Sequence, residues 1–173
     1  MGTITIIKGD ITLITADAIV NAANTTLLGG GGVDGAIHRA AGRELLEECR
    51  KLNGCETGEA KITQGYNLPA RFVIHTPGPI WKGGTCNEEQ LLKNCYYNSL
   101  CLAEQYGCET VAFPSISTGV YHFPLEKAAS IALRTIQNYL KTSHTIKEVL
   151  MVCFSDQVRE IYSEALLKQS MEK

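Results

Sequence analysis

Asn21-Ala-Ala-Asn24-Thr-Thr-Leu-Leu-Gly29-Gly-Gly-Gly32-Val33-Asp34-Gly35-Ala-Ile-His38-Arg-Ala-Ala-Gly42 is the stretch that decides the fold. It follows Ala18-Ile19-Val20, a short apolar run that reads as a buried strand. Beyond Asp34, residues Ala36, Ile37, Ala40 and Ala41 fall at helical spacing. The segment is therefore a strand, a glycine-rich loop and a helix N-terminus. Glycines let the backbone approach a ligand closely. A helix N-terminus supplies unpaired N–H groups and a positive dipole end, which suits phosphate. Asp34 fits that setting poorly, because a carboxylate repels an anion. It is either a helix N-cap or a group that acts on the ligand. The glycines and asparagines crowded around it favour the second reading.

Working outward, the elements alternate. Residues 3–7 read as a strand ending at Gly9-Asp10-Ile11-Thr12, where Asp10 is a turn or cap residue or an acceptor for a ligand's amino group. Residues 17–21 form the strand that enters the organising loop. Residues 43–53 read as an amphipathic helix with Leu45, Leu46, Cys49 and Leu52 on its apolar face. Residues 59–65 and 71–76 are further strands around a turn at Pro69, and His75 reads as a core or rim histidine. Asn87 with Gln90 fits an N-cap and its reciprocal partner, opening a helix that stops at Gly107. Thr110 to Pro114 is a strand that runs into a second small-residue loop, Ser115 to Phe123. Pro124 opens the next helix. A last strand over 147–154 ends at Phe154, and Ser155-Asp156 starts the final helix. Strands alternating with long helices imply an α/β sheet covered on both faces. Ligands of such sheets bind beyond the strand carboxyl ends, and both distinctive loops, Asp10 and Phe154 lie at strand ends.

The 173 residues suit one domain spanning 1–173. The chain carries 16 basic and 18 acidic residues, a net charge of −2, which offers no electrostatic footprint for duplex nucleic acid. No apolar run reaches the roughly 18 residues of a membrane span. The first residues alternate like a strand and lack a signal-peptide layout, so a cytoplasmic location is expected. The seven cysteines form no Cys-x-x-Cys pair and no zinc-type cluster. Cys95 and Cys153 lie in apolar patterns and read as core filler. No metal or cofactor is expected, and the chain is expected to be a monomer.

Several pieces together resemble a macrodomain of the MacroD type. They are Gly9 to Thr12, Val20 to Asn24, Gly29 to Gly42, Val73 to Thr76, and Ile116 to Tyr121. The resemblance covers nearly the whole chain in matching order. It implies a three-layer α/β/α fold around a mixed, mainly parallel sheet of about six strands. It also implies binding of ADP-ribose, and hydrolysis of O-acetyl-ADP-ribose and of mono-ADP-ribose esters on acidic side chains of proteins.

Residue by residue, the resemblance implies the following. Asp10 accepts from the adenine amino group, Ile11 lies alongside through its backbone, and Phe154 packs on the adenine face; a Phe ending a strand would otherwise be a core residue. Backbone N–H groups of Ser117, Thr118, Gly119, Val120 and Tyr121 hold the diphosphate, and Gly32 and Val33 approach from the other side. Asn24 reaches the distal ribose and Tyr121 covers it. Asp34 orients or deprotonates the attacking water. His38, one turn later, supports it or simply packs the helix. Two departures stand out: His122 follows Tyr121 where many relatives carry a small residue, and Pro77 is expected to stiffen a loop away from the cleft.

Two rivals are testable. Gly30-x-Gly32-x-x-Gly35 formally matches a dinucleotide fingerprint of NAD-dependent oxidoreductases. That motif should follow its strand at once, whereas Ala22 to Leu28 intervene here. A module that reads ADP-ribose without cleaving it is the other rival, but it has no use for Asp34.

Overall fold

The computed structural model describes residues 1–172. In chain order the elements are β1 (Thr3–Lys8), a 3-10 turn (Ile11–Leu13), β2 (Ala18–Ala23), α1 (Gly32–Ala41), α2 (Arg43–Lys51), β3 (Lys61–Gln64) and β4 (Phe72–Pro77). There follow α3 (Glu88–Gln105), β5 (Thr110–Phe113), α4 (Leu125–Thr142), β6 (Glu148–Cys153) and α5 (Asp156–Met171). The strands form one sheet in the order β1-β6-β5-β2-β4-β3. All neighbours are parallel except β3 on β4, so the sheet is mixed and mainly parallel, as expected.

The period of two along each central strand splits the core into two layers. Ala18, Val20, Phe72, Ile74, Val111, Phe113, Val149 and Met151 face one side, where α3, α4 and α5 cover them. Ile19, Ala23, Val73, Ala112 and Val152 face the other, under Ile37 and Ala41 of α1 and Leu45 and Cys49 of α2. Cys95 and Cys153 are buried, as their patterns indicate. No described helix is long and apolar enough to cross a membrane.

The expected cap at Asn87 and its partner Gln90 need correction, and the cap alternative for Asp34 falls away. The first helix begins at Gly32 with Gly31 at its N-cap position, so Asp34 sits inside the first turn and caps nothing. Asn87 makes no side-chain cap, because its φ of 64° turns it into the left-handed region. Gln90 instead donates to Asn94 along the helix. The carboxylate that gathers the loop amides belongs to Glu88, which accepts from the backbone N–H groups of Lys82, Gly84 and Cys86. Burial pushes the Glu88 carboxyl up, but those amides outweigh it and hold the group at about 2.

Candidate functional site

The loop after β2 leads to α1 on one face, and the loop after β5 leads to α4 on the other. β2 and β5 are neighbours, so the two loops part at a crevice, the usual ligand position in such sheets.

On the β2 side, Asn24 builds the loop. Its Oδ1 accepts from Thr26 Oγ1 (2.7 Å) and Leu27 N (3.1 Å), and its Nδ2 donates to the Gly29 carbonyl (2.9 Å). The loop then packs flat on α1. A Cβ at Gly35 would collide with the Gly30 carbonyl. A Cβ at Gly30 would stand 3.1 Å from Asp34 Oδ2 and 3.3 Å from Asn24 Nδ2, which places these two groups side by side. The N–H groups of Gly32, Val33 and Asp34 have no acceptor among the described residues.

On the β5 side, the Thr118 hydroxyl donates to the Ser115 carbonyl and hydroxyl, and the Ser115 hydroxyl shares a 2.7 Å bond with Tyr162. Phe123 N to Ser117 O and His122 N to Gly119 O, both 3.0 Å, close the loop. Inside that ring the N–H groups of Ser117, Thr118, Gly119, Val120 and Tyr121 have no acceptor among the described residues. Five successive unpaired amides form a nest suited to an anion. Ser117 takes a φ of 67° and His122 one of 59°. Histidine tolerates that region better than most residues, so His122 suits its place in the loop. The segment after Pro77 does not lie away from the cleft, as expected, but against it. A Cβ at Gly78 would collide with Ser117 Oγ, and Trp81 N donates to the Tyr121 carbonyl at 2.9 Å.

Asp34 is 5% exposed and lies beside Gly30 and Asn24 of the β2 loop. Its Oδ1 accepts from Asn21 Nδ2 at 2.9 Å. The same amide donates to His75 Nδ1 at 3.2 Å, which leaves the His75 proton on Nε2, facing Thr63 Oγ1 at 3.0 Å. The Thr63 hydroxyl in turn donates to the Gln64 carbonyl. His75 is fully buried, and burial first, then the nearby His38, push its pKa down to about 3. It is therefore a neutral acceptor that orients Asn21. Burial pushes the neighbouring Cys49 thiol up to about 12, aided by Glu48 and Asp34, so it is no thiolate nucleophile. His38 Nε2 is 3.4 Å from Asp34 Oδ1 but out of line for a hydrogen bond. Among the described residues five buried side-chain polar atoms lack protein partners, and Asn21 Oδ1, His38 Nε2 and Ser117 Oγ, which lie beside Asp34 and in the amide loop, are three of them.

The remaining expected residues lie at the far end of the same sheet edge. Gly9 N donates to the Cys153 carbonyl, which brings Asp10 and Phe154 together where β1 and β6 end. Asp10 Oδ1 caps the 3-10 turn through Thr12 N (2.9 Å) and Thr12 Oγ1 (2.7 Å). Ile11 buries its side chain against the α1 side of the core. Phe154 is 75% exposed, so it is no core residue. Along the edge the groups thus fall in strand order: Asp10, Ile11 and Phe154, then residues 117–121, then Asn24 and residues 32–34.

Residues 20–132 match the Macro domain family. The chain belongs to the macrodomain family. It is 51% identical over 172 residues to the O-acetyl-ADP-ribose deacetylase of Escherichia fergusonii, covering 96% of this chain and 97% of that one. The Oceanobacillus iheyensis macrodomain with ADP superimposes with a TM-score of 0.93 at 48% identity, covering 99% of this chain and 93% of that one. The Trypanosoma brucei macrodomain in complex with ADP-ribose gives a TM-score of 0.90 at 43% identity, over 94% of this chain and 68% of that one.

Sequence reasoning read His75 as a core or rim histidine, which its burial bears out, but missed Asn21 and the contact between the two. A signal existed: each is a polar residue at an inward position of an otherwise apolar strand, next to Ile19 and Val73 respectively.

Proposed function

We propose that this macrodomain binds ADP-ribose along the strand ends and hydrolyses esters at its distal ribose, taking O-acetyl-ADP-ribose and mono-ADP-ribosylated acidic side chains of proteins as substrates. The observation that carries the reading is a buried carboxylate, Asp34, held by Asn21 on the same strand-end edge as two sets of unpaired amides. From β1 to β2 is three strand spacings, about 14 Å, a span that suits an elongated dinucleotide-like ligand. Adenine lies at Phe154 and Ile11, with its amino group donating to Asp10. The amides of residues 117–121 and of Gly32 and Val33 take the diphosphate without a cation. The distal ribose then meets Asn24, Tyr121 and Asp34.

Asn21 occupies Asp34 Oδ1, and Oδ2 faces Gly30 and Asn24. Oδ2 is the oxygen placed to take a proton from water as that water attacks. His38, beside the same carboxylate, supports its position. A reader module gains nothing from this arrangement, because Asp34 repels the diphosphate it would have to bind.

Calorimetry with ADP-ribose tests binding, with about −8 kcal/mol expected for a micromolar constant and weaker binding of NAD. Release of ADP-ribose from O-acetyl-ADP-ribose and from a Glu-linked ADP-ribosyl peptide tests the chemistry. In heavy-oxygen water, label in the acid reports attack on the acyl carbon and label in the ribose reports attack on the anomeric carbon. No heat with millimolar ADP-ribose would sink the binding reading, and binding without release of either product would leave a reader.

A further inference from the structure

Where the glycine-rich loop meets α1 and α2, a hollow of about 440 Å³ opens, walled by Gly29, Gly30, His38, Arg39, Arg43 and Leu46 among others. Two walls are shared with the Asp34 site. His38 stands 3.4 Å from Asp34 Oδ1, and a Cβ at Gly30 would stand 3.1 Å from Oδ2. The hollow therefore adjoins the Asp34 site across the Gly30 backbone and the His38 ring, while Asp34 itself does not line it. Its full charges are Arg39 and Arg43, and neither has a carboxylate within 4.0 Å among the described residues. Glu47, one turn beyond Arg43, makes no such pair either. The Arg39 guanidinium folds back along α1, with Nη1 3.0 Å from where a Cβ on Gly35 would be.

An acetyl group would fill only a fraction of this space, and it carries no charge for two arginines to meet. A polypeptide bearing the ester on an aspartate or glutamate would fill more of it. Carboxylates on neighbouring residues would meet guanidinium forks that suit them. The glycines of the wall leave room for a chain to pass.

We infer that this hollow is a peptide subsite, which takes the backbone beside an ADP-ribosylated acidic side chain and selects flanking carboxylates through Arg39 and Arg43. The inference rests on the hydrolase reading above.

Two peptides carrying mono-ADP-ribose on one glutamate, flanked by Glu in one and Gln in the other, test it. Kd and kcat/KM are measured for wild type and for the Arg39→Gln/Arg43→Gln double variant, with O-acetyl-ADP-ribose as control. Wild type should favour the acidic-flanked peptide by roughly 3- to 10-fold, as two partly exposed ion pairs would give, and salt should shrink the preference. The double variant should lose the preference while O-acetyl-ADP-ribose turnover stays unchanged. Equal handling of the two peptides by wild type, a preference that survives the double variant, or equal losses on O-acetyl-ADP-ribose would each overturn it. A preference in Kd without turnover of any substrate would sink the hydrolase reading and keep the subsite.

Discussion

Acidification should unseat Asp34 through His75. His75 is fully buried, accepts from Asn21 at Nδ1, and has its pKa pushed from 6.5 to about 3, by burial first and then by His38. The fold therefore binds the neutral ring, while the unfolded chain takes up a proton near pH 6.5. The contribution is fully present above 6.5 and is lost as pH falls from there towards about 3. Each pH unit in that window costs about 1.4 kcal/mol. Between pH 7.5 and 4.5 the loss comes to about 3 kcal/mol, a large share of a typical folding free energy. Protonation would also place a donor at Nδ1 against the donating Asn21 amide, so the hold on Asp34 Oδ1 loosens with it. The assay is urea unfolding at several pH values for wild type and His75→Gln, a variant that keeps an amide acceptor and removes the titration. Carboxylates common to both proteins cancel in the difference. Wild type should lose about 3 kcal/mol more than His75→Gln over that range. Parallel pH profiles would refute the buried, neutral His75 and its role as the acceptor that orients Asn21.

Two other perturbations probe the ends of the crevice. Asp10→Ala should weaken ADP-ribose binding by roughly 1.5–3 kcal/mol and leave ribose 5-phosphate nearly unaffected, with about 1 kcal/mol of stability lost with the Thr12 cap. Equal calorimetric losses for the two ligands would reduce Asp10 to scaffolding. Gly35→Ala drives a methyl into the Gly30 carbonyl, so melting and turnover should both fall, the first by about 1–3 kcal/mol; a variant as stable and active as wild type would mean that the loop does not rest on α1.

How much of this was legible before the structure depends on sequence distance. The glycine-rich stretch announces its strand, loop and helix, because each signal is local: an apolar run, four glycines, then helical spacing. The alternation of strands and helices gives the sheet, and the rule that ligands sit at strand ends gathers Asp10, Phe154 and both loops. The Asn21–His75 contact spans 54 residues and exists only because β2 and β4 pair in register, which no local pattern states. Glu88 was overshadowed by Asn87, whose residue type suits a cap; only the backbone shows that its left-handed φ turns its side chain from that task. The exposure of Phe154 is equally a tertiary fact, since a Phe that ends an apolar strand reads the same way inside or out.

Asp34→Asn is the most direct test of the account. The substitution keeps an oxygen for Asn21 and nearly the same volume, but it removes the proposed base and its negative charge. Turnover of O-acetyl-ADP-ribose should fall by about 10²–10⁴, while calorimetry shows ADP-ribose binding as tight as wild type or tighter. Turnover near the wild-type rate would contradict the account and leave Asp34 a structural carboxylate.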